Sequence, residues 1–110
     1  MSINRGSRVN NPNMLKQIQQ MQARMARMQE ELGGMTVTGT AGGGAVTVVA
    51  NGHQQVQSVV IDAEVLEEGA ELLADLVLAA VNSALDQSRE LATKQMGQLT
   101  AGLNLPPGLL

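Results

Sequence analysis

Cations without acids are the first feature of this 110-residue chain that points to chemistry. Five of its seven basic residues, Arg5, Arg8, Lys16, Arg24 and Arg27, fall in the first 29 positions, where there is no Asp or Glu. All ten acids come later, offset only by Arg89 and Lys94. The formal net charge of −3 speaks, as a single number, against a polyanionic partner. The field at a surface follows local charge, however, because screening removes contributions beyond roughly 8–10 Å at physiological salt. One basic surface on an acidic body is therefore expected, and ammonium and guanidinium groups so placed attract phosphate.

Three of these cations lie in a stretch with a clear period. Met14, Ile18, Met21, Met25, Met28 and Leu32 recur at alternating steps of four and three, a strict a/d seam. The pattern predicts a helix from about Pro12 to Leu32, roughly 30 Å long. Asn11 is its expected N-cap, Pro12 suits the first turn, and Gly33-Gly34 ends it. On a wheel of about 100° per residue with Lys16 at the origin, the seam centres near 160°, Arg27 near 20° and Arg24 near 80°. All three cations are thus expected on the face away from the seam. Lys16 and Arg27 stand roughly 16 Å apart along the axis, enough to touch more than one phosphate.

Any solvated helix face can look like this, so neighbouring acids decide the ranking. Lys16 and Arg24 have no acid three or four positions away, whereas Arg27 has Glu30 and Glu31 in reach. Arg89 has Asp86 and Glu90 nearby, and Lys94 follows Glu90 by four, so local neutralisation is expected for both. With no Phe, Tyr or Trp, stacking on single-stranded bases has no platform. The methionine seam is adaptable enough to bind varied partners, but core or dimer contact is its plainer use.

Catalytic constellations are missing. There is no cysteine, and His53 is the only histidine, placed after an Asn-Gly pair where a solvated turn residue is expected. Ser58, Ser83 and Ser88 have no basic partner that the sequence can indicate. The glycine-rich stretch Gly39–Gly44 matches neither phosphate-loop nor dinucleotide spacing, and a strand follows it rather than a helix. Glu64, Glu67, Glu68 and Glu71 cluster at a helix start, where the helix dipole already favours carboxylates. The expectation is a protein that is not an enzyme and uses no metal and no cofactor. No apolar run reaches membrane-spanning length and the first residues lack a signal peptide's apolar core, so no membrane partner and a cytoplasmic location are expected.

The elements that would position these residues are readable. Val- and Thr-rich runs predict strands at about Met35–Thr40, Ala45–Ala50 and Gln54–Ile61. Ala41–Gly44 and Asn51-Gly52 are the expected turns, which makes an antiparallel meander. Asp62 is expected to cap a helical turn through Leu66. A second long helix is expected from about Ala70 to Gln98, with Leu73, Val77, Ala80, Ala84, Ser88 and Leu91 along one side. Leu76, Val81, Leu85 and Ala92 widen that stripe for a sheet face. The fold class is α+β in the order α-β-β-β-α, with a three-stranded antiparallel sheet and two long helices. Residues 1–11 read as a disordered basic arm, 12–102 as one domain and 103–110 as an extended Pro-containing tail. An aromatic-free core of this size is modest, and oligomerisation is its expected remedy.

Several segments together resemble a known family. Asn13–Gln22 with Met25 and Met28–Glu31 is very similar to the first helix of the YbaB/EbfC family. Thr38-Gly39, Gly42–Gly44, Val46 to Asn51-Gly52 and Val59–Asp62 fit as well. So do Glu71–Val77, Ala79-Ala80 with Asn82, and Leu105–Gly108. The resemblance covers about residues 12–109. It implies a homodimer joined through the sheet region with helices projecting like tweezers, binding to duplex DNA, and association with the nucleoid. Carried onto this chain, DNA contact falls on Lys16, Arg24 and Arg27, with Arg89 and Lys94 as second-helix candidates. Family members often carry more Lys and Arg late in the last helix; here Gln87–Gln95 is nearly neutral, so weak binding is expected. The alternative reading is a chaperone-like or adaptor protein that binds protein partners along the methionine seam.

Overall fold

In the computed structural model, which describes residues 12–103, two helices of unequal length flank a small sheet. Helix α1 spans Pro12–Gly34, strands β1, β2 and β3 span Thr36–Ala41, Val46–Asn51 and Val56–Ile61, α2 is a single turn at Ala63–Leu66, and α3 spans Ala70–Leu103. The expected α-β-β-β-α order and antiparallel meander are both present, with strand order β1-β2-β3. The basic arm, the Asn11 cap and residues 104–110 of the tail lie outside the described residues. Helix α3 runs further than expected, taking in Leu103. Gly97 costs about 1 kcal/mol of helix propensity but does not stop the helix.

Alternation along the strands decides which face is covered. Val46, Val48 and Ala50 of β2 point to α3 and are fully buried, packed with Ala80 and Ala84. Val37, Ala41, Leu76, Val77 and Val81 close the edges of this core. Thr36, Thr38 and Thr40 occupy the alternate positions of β1 and are exposed. Helix α3 covers β1 and β2 and barely reaches β3. Strand β3 is therefore exposed along its whole length. Its Val59 and Ile61 lie opposite the buried Val48 and Val46, yet no helix covers them. The register slips between Val49 and Ala50, leaving Gln57 as a bulge.

Glycine sets how closely α3 approaches. A Cβ on Gly39 would stand 2.4 Å from both the Ala80 carbonyl oxygen and the Ala84 nitrogen. Only a residue without a side chain lets the helix backbone sit directly on β1. Small Ala80 and Ala84 complete that close approach, which is how a core without aromatics remains well packed.

At the other end of β2 the turn differs from the expected Asn-Gly geometry. The Gln54 N–H donates to the Asn51 carbonyl (3.3 Å) and the Asn51 N–H to the Gln55 carbonyl (2.9 Å). Gln54, with φ 57°, takes the left-handed position. This is a three-residue loop, Gly52-His53-Gln54, a common hairpin alternative to the two-residue type. Gly52 is needed for a different reason: a Cβ there would lie 2.6 Å from the Leu32 carbonyl oxygen. The α1 terminus presses against the loop, and the Gly52 N–H donates to that same oxygen at 2.9 Å. As expected, Asp62 caps α2, accepting from the Glu64 N–H.

Candidate functional site

The β2–β3 turn is where both long helices are tied together. Toward α1, besides the Gly52 bond, the Asn51 amide donates to the Gly33 carbonyl (3.4 Å). His53 Nε2 lies 2.7 Å from the Gln29 carbonyl oxygen. A carbonyl can only accept, so Nε2 carries the proton there. His53 is thus exposed but engaged, which corrects the expectation of a merely solvated residue. Toward α3, the fully buried Ser88 hydroxyl donates to the Asn51 carbonyl (2.6 Å) and accepts from the Gln54 N–H (3.0 Å). Ser88 is a structural hub, consistent with the lack of any basic partner for it.

This joint fixes where the helices go. Leu76 packs near Gly42 at one end of the sheet and Ser88 reaches the turn at the other. Beyond Ser88, α3 continues for about 22 Å. Helix α1 reaches the same joint only at its C-terminus, so its cation-bearing part lies on the same side, beyond the sheet. The two form a pair of arms whose facing sides border an open cleft of about 260 Å³. Arg24, Arg27, Met28 and Glu31 line it from α1, and Gln95, Gln98 and Leu99 from α3.

The cleft corrects the placement of the basic face. The wheel puts the cations on the face away from the seam, and core or dimer contact is the seam's expected use. Instead α3 sits off-centre, on the side of the seam nearer the cations, so Arg24 and Arg27 border the arm-to-arm cleft. Only the last two seam residues, Met28 and Leu32, are buried. Met14 and Ile18 remain 51% and 47% exposed. On the opposite flank, Ile18, Met21, Gln22, Met25, Ala26 and Gln29 line an open, largely apolar groove of about 470 Å³.

Ion pairing separates the candidates. Among the described residues the one ion pair is Arg89–Asp86, at 2.6 Å between two well exposed side chains. Lys16, Arg24, Arg27 and Lys94 are exposed, and among the described residues their side chains have no ion-pair or hydrogen-bond partner. The pairings available to Arg27 with Glu30 or Glu31, and to Lys94 with Glu90, are not formed. Among the described residues no group of three His, Asp or Glu side chains is placed to hold a metal ion. None of the described helices is long and apolar enough to cross a membrane.

Comparison with known proteins agrees with this architecture. The family model of the YbaB/EbfC DNA-binding family matches residues 7–103. A protein of Bacillus thuringiensis (strain Al Hakam) named as a nucleoid-associated protein is 55% identical over 106 residues, covering 96% of this chain and 97% of the relative. A nucleoid-associated protein of Bacillus anthracis (strain CDC 684 / NRRL 3495) matches to the same extent. The crystal structure of HP0035, an uncharacterized protein from Helicobacter pylori, superposes with a TM-score of 0.72 at 20% identity. That superposition covers 83% of this chain and 97% of the other, and it speaks for the fold. With a family match running nearly end to end and relatives at more than half identity, the chain belongs to the YbaB/EbfC DNA-binding family.

Proposed function

We propose that this protein is a nucleoid-associated homodimer that binds double-stranded DNA with low sequence specificity through phosphate contacts. Lys16, Arg24 and Arg27 carry the binding, and Lys94 and Arg89 contribute less. The observation that carries this reading is that three cations on an arm projecting past the sheet are exposed and, among the described residues, have no ion-pair partner. Their charge is available to release counterions from a phosphate backbone. Arg89 ranks last because Asp86 already engages it. In this reading phosphate contacts set the register on the duplex, and sequence preference is low. Relatives named as nucleoid-associated proteins support the setting, a nucleoid within the cytoplasm.

The uncovered β3 supports the dimer. It is an edge strand with open backbone groups, and it exposes Val56, Val59, Val60 and Ile61. Such an edge invites pairing, and a second copy of the chain would cover it. Joining two protomers there leaves the arms of each free for DNA.

A salt series tests the reading. Binding of the full chain to a random-sequence duplex is expected to weaken with a log–log slope of about −4 to −5, for about four to six phosphates engaged per dimer. A flat salt response removes the mechanism. The open apolar groove on α1 is the one observation favouring the adaptor reading. That reading prevails if charge reversal at Lys16 and Arg24 spares DNA retention while Met21→Lys blocks a protein partner.

A further inference from the structure

Resting on the DNA-binding reading, we propose that Gln95 and Gln98 are DNA-contact residues. In the cleft between the arms they donate uncharged amide hydrogen bonds to the same phosphate backbone that Arg24 and Arg27 attract. Charge alone points to Arg89 and Lys94 as the second-helix contacts. The structure brings different side chains opposite the arginines. Gln95 and Gln98, three apart on α3, line one cleft with Arg24 and Arg27 of α1.

The state of these groups carries the inference. Among the described residues none of the four side chains has a hydrogen-bond or ion-pair partner. Glu31 also lines the cleft, yet neither arginine turns to it. Two guanidinium groups and two amides therefore present unused donors to one space. An anion with several acceptor oxygens matches that set, and a phosphodiester offers them without needing to fit an enclosed pocket. Glu31 disfavours deep entry of the anion, which places it at the mouth of the cleft. The glutamine amides fix the position of the phosphate there, while the arginines supply the attraction.

Charged and neutral donors leave different marks on the salt dependence. Each cation that contacts a phosphate adds about 0.9 to the magnitude of the log–log slope, whereas an amide adds nothing. Full-length wild type, the double variant Gln95→Ala with Gln98→Ala, and the double variant Arg24→Gln with Arg27→Gln are titrated with a random duplex across a range of KCl concentrations, by fluorescence anisotropy. Alanine raises helix propensity at both glutamine positions, so α3 is retained, and circular dichroism verifies this. The glutamine variant is expected to bind about 5- to 30-fold more weakly with an unchanged slope, as loss of two hydrogen bonds from uncharged donors at an exposed site requires. The arginine variant is expected to weaken binding and flatten the slope by about 0.9 for each lost contact.

Wild-type affinity in the glutamine variant, with the arginine effect present, overturns this inference and leaves the DNA-binding reading standing. A changed slope in the glutamine variant also overturns it, because the glutamines would then act only by holding the arginines. If neither variant differs from wild type, both the inference and the proposed cation site fail. Equal losses on A/T-rich and G/C-rich duplexes are expected of a phosphate contact; unequal losses would reassign the amides to base edges.

Discussion

Between Leu76 and Ser88, helix α3 lies on the sheet; between Arg89 and Leu103 it faces α1 across an open cleft. Ala80, Ala84 and Ser88 in the first stretch are inaccessible to solvent, and one of its turns rests on a glycine. No residue from Arg89 to Ala101 is buried in the second. Helix α1 shows the same contrast along its seam, from buried Leu32 to half-exposed Met14. One end of the molecule uses its side chains for close packing, and the other leaves most of its side chains open to solvent. Stability and binding are therefore carried by separate residues, and substitutions should divide accordingly.

The sharpest break in that division is expected at Gly39. Gly39→Val forces a side chain into the α3 backbone and should lower stability by about 3 kcal/mol or more, read by urea denaturation. An effect below about 1 kcal/mol would mean that the helix rides higher than the structure has it. Next comes the charge reversal Lys16→Glu with Arg24→Glu, in the opposite region. It should reduce duplex affinity on the order of 100-fold while leaving the urea midpoint nearly unchanged. Coincident loss of stability would merge the two regions.

Ser88→Ala removes the hydroxyl through which α3 holds the Asn51 carbonyl and the Gln54 N–H, leaving these two with only their 3.3 Å bond to each other. About 2 kcal/mol of destabilisation is expected, together with a changed distance between spin labels on the two arms. Such labels are simple to place in a chain without native cysteine. His53→Ala, which loses a bond at an exposed site, should cost about 0.5–1 kcal/mol and affect the α1 arm more than the α3 arm. Arg89→Gln is the smallest. Its exposed pair with Asp86 is worth little, so both stability and DNA affinity should stay close to wild type.

Some of this was legible beforehand because it is local. The four-three spacing of the methionines requires a helix, alternating Val and Thr require strands, and Asp62 before a short apolar turn is a cap. The unequal distribution of cations is also read directly, since charge does not depend on folding. Other features were not legible, because they join residues distant in the chain. Ser88 is 37 positions from its acceptor at Asn51. Gly39 and Gly52 look like ordinary turn or strand glycines until the backbones they admit are known. The wheel set Arg24 and Arg27 on the face away from the seam. It had no means of indicating that α3 would pack to one side of that seam and turn these arginines toward Gln95 and Gln98.

Composition and periodicity alone determined the elements, their order and the basic character of the first helix, because short-range sterics and side-chain polarity act within a few residues. Tertiary packing decided the rest: how near α3 lies to β1, what the Asn51–Gln55 turn fastens, that β3 stays uncovered, and which neutral side chains share a cleft with the cations. Those outcomes depend on distances between surfaces that meet only when the whole chain has folded.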